Sequence, residues 1–224
     1  MQFKRKTDSS YPNVYETWTT EEAQWFIQDL QPEDEDAAIK ILVENLCRDE
    51  TLQSIQSYMD HICKIWRECI AQRMSLGCYE LKNGLKTLVG LNSCIALTVN
   101  EDLDFEVSYY NLDPLYQAMP LLFMDPYKHL DAELILHALG LVIMREYRGA
   151  KLGKKLLAAR EPLCKSQGIK GTATLFTGIA SQKLAASCGF ETINETTISQ
   201  LAEAGLPYPK DDHRVLKYMV KKYL

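Results

Sequence analysis

The sequence lacks a hydrophobic run long enough to cross a membrane. A membrane-spanning helix needs about 20 consecutive apolar residues, and the longest apolar runs in this 224-residue chain, such as 139–144, are far shorter. Lys4, Arg5 and Lys6 are not followed by an apolar stretch, so the N-terminal segment does not resemble a signal peptide. We therefore expect the chain to be cytoplasmic and to make no contact with a membrane.

The sequence also lacks cysteines at C-x-x-C spacing and stripes of basic residues. The seven cysteines are an odd number and include no C-x-x-C pair, which indicates reduced core thiols and predicts no metal site. The net charge is −5, and no basic stripe is interleaved with aromatic residues, which argues against a nucleic acid as the main ligand. The expected partner is a small molecule, and the chain is expected to act as a monomer.

The composition is that of an ordinary globular protein, with 46% hydrophobic and 25% charged residues. A chain of this length can bury roughly 70% of the surface that it exposes when unfolded, so it needs no disulfides. Residues 1–22 are polar and lack periodicity, which predicts an N-terminal extension. Residues 23–224 are expected to form a single domain.

Hydrophobic periodicity predicts alternating strands and helices. Asn83-Gly84, between two apolar runs, predicts a hairpin because both residues tolerate positive φ. The predicted helices lie at about 34–48, 53–74 and 179–187, with another that opens after 144 and ends at Gly168. The predicted strands lie at 24–30, 78–82, 85–99, 133–144, 170–177, 190–198 and 213–224, and the segment 104–134 is expected to hold short helical or irregular pieces.

One turn has the features of a phosphate-binding site. The buried strand at 133–144 is followed at once by a glycine-containing turn that opens a helix, and the N–H groups of such a turn can bind a phosphate. The turn lacks the three glycines of a dinucleotide fingerprint and the Gly-Lys-Ser/Thr ending of a P-loop. An ordinary strand-to-helix turn without a ligand is the alternative that the residues alone leave open.

The residues of this turn resemble a known family, the GNAT superfamily of acetyl-coenzyme-A-dependent N-acetyltransferases. Tyr147-Arg148-Gly149-Ala150-Lys151-Leu152-Gly153 is similar to its phosphate turn, with Lys151 in place of the middle glycine. Residues 177–190 resemble its second motif, a helix that ends in Gly-Phe. Pro32-Glu33-Asp34, Asp49-Glu50-Thr51-Leu52 and His213-Arg214-Val215-Leu216-Lys217 are similar to motifs of the insect arylalkylamine N-acetyltransferases, so the resemblance covers about residues 25–224.

This resemblance implies an α/β, GNAT-type fold, in which a mixed, strongly twisted sheet carries helices on both faces. It implies acetyl-CoA as cosubstrate and an arylalkylamine, such as dopamine, octopamine, serotonin or tryptamine, as acceptor. The implied coenzyme-binding residues are the main chain of Leu141, Val142 and Ile143 and the turn residues Arg148, Gly149, Ala150, Lys151, Leu152, Gly153 and Lys154. The side chains of Leu141, Val142 and Ile143 are expected to belong to the core.

The resemblance also implies two catalytic residues. Transfer to an amine requires removal of an ammonium proton, which a carboxylate can accept, and the family's glutamate in that role corresponds to Glu50. The alternative is that Glu50 is a solvated residue beyond a helix end. Many GNAT enzymes use a tyrosine as acid where this chain has Ala185; the insect enzymes have serines in this helix, which correspond to Ser181 and to Gly178. Ser181 either donates a proton or caps the helix.

Lys151 has two opposing expected effects on coenzyme binding. Its Cβ hinders the approach of the backbone to a pyrophosphate, whereas its ammonium, with Arg148, Lys154 and Lys155, attracts the phosphates. We expect the charge to dominate. The general alternative for such a charge run is a solvated helix face.

The apolar stretch from Phe105 to Phe123 is a candidate wall for the amine, with core packing as the alternative. Its side chains of interest are Tyr109, Tyr110, Tyr116, Leu121 and Leu122. The four histidines, His61, His129, His137 and His213, have no partner at catalytic spacing and are expected to be structural. Two further functions stay open: a GNAT acyltransferase for another amine or a longer acyl chain, and a non-catalytic binding protein, which Lys151 and Ala185 would suit.

Overall fold

The computed structural model describes residues 3–7, 9, 11–47, 56–99 and 114–223. Within them, eight strands form one sheet in the order β1-β2-β3-β4-β5-β6-β8-β7, in which β5 and β6 are parallel and the other neighbours are antiparallel. The strands are β1 Val14–Thr19, β2 Gln24–Asp29, β3 Leu76–Lys82, β4 Leu85–Thr98, β5 Leu134–Ile143, β6 Gly171–Phe176, β7 Glu191–Thr197 and β8 Val215–Lys222. The predicted mixed α/β sheet is confirmed.

Helices cover both faces of this sheet. Helices α1 and α2 pack with Leu91 and Val142 on one face, and α5 and α6 pack with Cys94 and Ala138 on the other. The helices are α1 Glu35–Ile41, α2 Gln56–Ala71, α3 Pro114–Leu122, α4 Pro126–Leu130, α5 Leu152–Ala158, α6 Arg160–Ser166, α7 Ile179–Ser187 and α8 Ile198–Glu203. In the described part of the chain, no helix is long and apolar enough to cross a membrane.

Several predicted elements are confirmed, and two differ in form. Asn83 and Gly84 have φ of +53° and +79° and join β3 to β4, as the hairpin prediction requires. The helix predicted at 34–48 is instead a 3-10 turn at Pro32–Asp34, then α1, then a π-helical turn at Leu42–Cys47. The long helix predicted after the glycine turn is divided at Ala159 into α5 and α6.

Part of the predicted N-terminal extension is ordered against the sheet. Residues 14–19 form the edge strand β1, and residues 3–7, here called the N-terminal strap, cross the sheet end beside it. Arg5 in the strap is buried and donates two hydrogen bonds, of 2.8 and 2.7 Å, to the buried carboxylate of Asp29. The Lys6 main chain exchanges two hydrogen bonds with the side-chain amide of Gln167, after α6.

Candidate functional site

A cleft opens where β5 and β6 separate. The two strands pair only from Leu136 to Ala138 on β5, opposite Thr172 to Thr174 on β6. Beyond these pairs β5 continues to Ile143 and β6 to Phe176, and β5 keeps its ladder with β4 while β6 keeps its ladder with β8. One edge of each strand therefore faces open space instead of a neighbouring strand.

The strand register determines which main-chain groups face this cleft. The N–H of Met144 donates to the carbonyl of Val89 at 3.0 Å, so this pair is hydrogen-bonded across β4 and β5. Hydrogen-bonded and non-hydrogen-bonded pairs alternate along antiparallel strands. Val142 consequently directs its main chain to β4, whereas Leu141 and Ile143 direct theirs to the cleft. Of the three strand residues predicted to offer main-chain groups, Leu141 and Ile143 are oriented to do so, and Val142 is not.

A β-bulge at Leu139 sets this alternation. Ser93 pairs with Gly140 and Cys94 with Ala138, which leaves Leu139 as the extra residue. The carbonyl of Leu139 accepts a hydrogen bond of 2.8 Å from Trp66 Nε1. The carbonyl of Gly140 accepts one of 2.7 Å from Asn92 Nδ2. The bulge is thus held from both sides by side-chain donors.

The glycine turn after β5 contains two residues with left-handed backbone. Gly149 has φ +90°, and Lys151, which precedes α5, has φ +59° and ψ +16°. A Cβ at Gly149 would meet nothing within 4 Å, so this glycine is required by its φ and not by crowding. Gly149, Ala150 and Lys151 are all exposed at the surface of the turn.

The charged residues of the turn have different surroundings. Arg148 donates from Nε to the Ile143 carbonyl at 3.0 Å and from Nη2 to the Asn45 carbonyl at 3.4 Å, so it joins the turn to β5 and to the π-helical turn. Lys155 pairs with Glu16 and lies 4.3 Å above the ring of Trp18. The expectation that Lys155 helps to hold phosphates is therefore wrong, because its ammonium is directed to β1. Lys154 is exposed on α5.

The remaining turn residues anchor the turn to the core. The side chain of Leu152 is 3% exposed and belongs to the main core, so only its main chain can face a ligand. A Cβ on Gly153 would lie 3.4 Å from Leu184, which shows that α5 and α7 pack closely there. Tyr147 donates to Glu80 at 3.0 Å, and partial burial together with this bond raises the pKa of its hydroxyl.

Helix α7 begins beside the end of β6 and carries Ser181 in its first turn. The Ser181 hydroxyl donates to the Gly178 carbonyl at 2.8 Å. Gly178 is the N-cap residue, and no side chain caps the helix, so the interpretation of Ser181 as an N-cap is wrong. Ala185, at the position of the family's tyrosine acid, is fully buried.

A cavity of about 710 Å³ opens between the start of α7 and the loop that leads into β8. It lies at the same end of the sheet as the cleft, because Phe176, the last residue of β6, pairs with Lys217 of its lining. Asp211, Asp212 and His213 also line it. Hydrogen bonds from Arg214 lower the pKa of Asp212 to about 2, and His213 Nδ1 lies 3.3 Å from the Ser199 hydroxyl.

Several predicted site residues lie outside the described residues. These are Glu50 and, in the candidate amine wall, Phe105, Tyr109 and Tyr110; the side chain of Tyr116 is likewise not described. In the described part of that wall, Leu122 is 2% exposed and packs in a small core cluster, so it is a core residue, whereas Leu121 is 42% exposed.

Three of the buried cysteines are poor nucleophiles, because burial disfavours the thiolate form of each side chain. Burial raises the pKa of Cys69 and Cys78 to about 12 and that of Cys94 to about 11. All six cysteines whose side chains are described are free thiols.

A mixed sheet with two parallel strands that separate before a glycine turn and a helix defines the GNAT acetyltransferase fold. Comparison with solved structures confirms this fold class. Similar structures include an insect protein described as arylalkylamine N-acetyltransferase 7, from the yellow fever mosquito Aedes aegypti, with 24% identity, coverage of 100% of both chains and a TM-score of 0.85.

Two further structures share this fold. The polyamine N-acetyltransferase of Drosophila melanogaster, which forms N-acetylagmatine, has 14% identity, covers 88% of this chain and 99% of its own, and has a TM-score of 0.70. NAA60 of Arabidopsis thaliana, solved with acetyl-CoA, has 12% identity, the same coverage and a TM-score of 0.51. No protein-family model and no curated protein sequence matches the chain.

Proposed function

We propose that the chain is an acetyl-CoA-dependent N-acetyltransferase that transfers the acetyl group directly to the amine of an arylalkylamine. The observation that carries the proposal is the cleft between β5 and β6, where Leu141 and Ile143 direct main-chain groups away from β4 and the Ile143 carbonyl accepts from Arg148 of the turn. Buried main-chain groups need hydrogen-bond partners, and the amides of an extended pantetheine arm provide them as a neighbouring strand would. The sequence resemblance and the mosquito structure support the substrate class.

The residues present suit the chemistry of this transfer. Acetyl-CoA supplies the acetyl group as a thioester; a C–N bond forms, the C–S bond breaks, and the amine loses one proton. The Leu141 N–H, in a fixed strand next to the bulge, is directed into the cleft, where it can donate to the oxyanion that develops on the thioester oxygen. The turn at 148–153 is proposed to hold the pyrophosphate, with Arg148, Lys151 and Lys154 as cations.

Glu50 is the proposed general base. An ammonium with a pKa near ~10 needs a nearby base at neutral pH. The π-helical turn Leu42–Cys47 packs on the bulge, since a Cβ on Gly140 would lie 2.9 Å from Leu42 and 3.2 Å from Leu46. This contact places Leu46, four residues before Glu50, beside the bulge at the cleft.

Ser181 is the proposed proton donor to the departing thiolate. Its proton is engaged with the Gly178 carbonyl at 2.8 Å, so donation requires that this bond be exchanged. A coenzyme A thiolate leaves readily near neutral pH. We therefore assign Ser181 a smaller share of catalysis than Glu50.

A polyamine is the second candidate acceptor. The cavity between α7 and the β8 loop contains the carboxylates of Asp211 and Asp212 together with the cations Arg214 and Lys217. Arg214 pairs with Asp212, so the attraction for a substrate with a second positive charge rests on Asp211. The Drosophila polyamine enzyme has the same fold. A third candidate is a non-catalytic binding protein. It is favoured by Lys151, which replaces a glycine of the phosphate turn, and by Ala185, which replaces the family's tyrosine acid.

The deciding experiment offers the full chain acetyl-CoA with a panel of amines and detects free thiol. The panel contains dopamine, octopamine, serotonin and tryptamine beside spermidine and agmatine, and a longer acyl donor is run in parallel. Turnover with the aromatic amines supports the proposal, and turnover confined to spermidine or agmatine overturns the arylalkylamine assignment. Coenzyme binding without turnover of any amine would support the non-catalytic alternative.

A further inference from the structure

A buried guanidinium lies under the sheet, and no carboxylate of the described residues forms an ion pair with it. Arg160, the first residue of α6, is 0% exposed. Its Nε donates to Asn92 Oδ1 at 2.6 Å and its Nη1 to Thr174 Oγ1 at 2.8 Å, while Nη2 has no partner among the described residues. Burial of an unpaired charge is costly, and an apolar side chain would serve the core better. The charge therefore calls for a functional explanation.

The partners of Arg160 mark the vertex of the cleft. Thr174 belongs to the last residue pair that joins β6 to β5. Asn92 lies opposite Leu141, the first residue after the bulge whose main chain faces the cleft. The guanidinium thus lies at the point where the two strands begin to separate.

Asn92 links Arg160 to the bulge through two hydrogen bonds. Its Oδ1 accepts from Arg160, and its Nδ2 donates to the Gly140 carbonyl. On the opposite face of the sheet, Trp66 Nε1 donates to the Leu139 carbonyl. With both carbonyls bound, the peptide planes of the bulge are fixed, and the bulge is what directs the Leu141 N–H into the cleft.

We propose that Asn92 and Arg160 are positioning residues for acetyl transfer, which hold the bulge at Leu139 so that the Leu141 N–H meets the thioester oxygen. The inference rests on the proposed function. Arg160 orients the Asn92 amide, because a guanidinium can only donate and so forces Oδ1, not Nδ2, to face it.

The test is Asn92→Asp. A carboxylate at this position still accepts from Arg160 and gives it a counter-ion, which offsets part of the stability lost with the bond to Gly140, so the variant is expected to fold. The donor to Gly140 is lost, and an oxygen faces the Gly140 carbonyl in its place, which displaces the bulge.

The main readout is the ratio of the dissociation constants of coenzyme A and acetyl-CoA, which requires no amine. Native protein is expected to prefer acetyl-CoA by about 3- to 10-fold, the effect of one hydrogen bond to the thioester oxygen. Asn92→Asp is expected to abolish this preference while its affinity for coenzyme A changes little. With an active amine, kcat should fall about 10- to 100-fold, as for a small displacement of a reacting group.

Thr174→Val is the matched control. It removes another buried hydrogen bond of the same guanidinium and leaves the bond from Asn92 to Gly140, so the acetyl-CoA preference and kcat should be retained. Should Asn92→Asp fail to fold, Trp66→Phe serves in its place, because it removes the donor to the Leu139 carbonyl from the other face and should also reduce the preference.

An unchanged preference in Asn92→Asp, or an equal loss in Thr174→Val, overturns the inference and leaves the proposed function intact. Native protein that binds both forms equally also overturns it. Native protein that binds neither form overturns the proposed function as well.

Discussion

Lys151 adopts a left-handed backbone conformation (φ +59°) that costs a residue with a Cβ about 1 kcal/mol relative to glycine. The side chain therefore has a measurable cost at the position where the related turns carry glycine. We therefore propose that its ammonium, which glycine lacks, contributes to phosphate binding.

We expect Lys151→Gly to raise the stability of the unliganded protein by about 0.5 to 1 kcal/mol, because relief of the left-handed conformation outweighs the added freedom of the unfolded chain. The same variant should bind coenzyme A several-fold more weakly at low ionic strength, with a smaller dependence on salt. Denaturant unfolding and titration at two ionic strengths measure both effects. Lys154→Ala, which removes a charge without a change in φ, is the control, and tighter binding by the glycine variant at both ionic strengths would contradict us.

Glu50→Gln is expected to lower kcat by about 100-fold or more, the usual contribution of a general base. The acid limb of the pH profile of kcat/KM should flatten, because the titrating carboxylate is gone. Glu44→Gln, on the exposed side of the π-helical turn, is the control. A Glu50→Gln variant with the native rate would remove Glu50 from the mechanism.

At the scale of elements, two glycines allow the effect of backbone strain on stability to be measured separately from the effect on ligand binding. Gly149 and the hairpin residue Gly84 both have positive φ, of +90° and +79°, and a Cβ on either meets nothing within 4 Å. We expect Gly149→Ala and Gly84→Ala to destabilise the protein by a similar amount, about 1 kcal/mol. Only Gly149→Ala should weaken coenzyme A binding in calorimetric titration, and equal affinities of the two variants would show that the turn does not touch the coenzyme.

Helices and strands are predicted correctly from the sequence where burial of one face makes their apolar residues periodic. The hairpin at Asn83-Gly84, the strand β5 and the helix α7 follow from turn chemistry and apolar periodicity. The edge strand β1 does not, because its residues are mostly polar and only half-buried. Helix α8 is short, yet Thr197 and Gln200 form a capping box, a signal that the sequence does contain.

The candidate site divides in the same way. The turn residues and β5 are adjacent in sequence, so a local motif identifies them. Trp66, Asn92 and Arg160 meet the bulge through contacts between residues 48 to 73 positions apart, and no local pattern contains that information. The orientation of Val142 away from the cleft depends on one extra residue in a strand, which periodicity does not detect.

At the scale of the whole molecule, the N-terminal strap contributes to stability. Arg5 and Asp29 are 2% and 0% exposed, and Tyr15 and Asn13 also donate to this carboxylate. We expect Arg5→Met to destabilise the protein by about 3 kcal/mol or more, because it leaves a buried carboxylate without its cation. Denaturant unfolding measures this loss, Lys4→Ala on the exposed face of the strap is the control, and similar midpoints for the two variants would show that the strap contributes nothing.

The strap also has a consequence for biosynthesis. Lys6 precedes its partner Gln167 by 161 positions, so the strap leaves the ribosome long before α6 exists to receive it. At a translation rate of about 5 to 20 residues per second, the strap waits about ten seconds or longer for its partner. Pairing of the strap with Gln167 thus comes late in synthesis, and a nascent chain interrupted before Gln167 lacks this attachment of the strap.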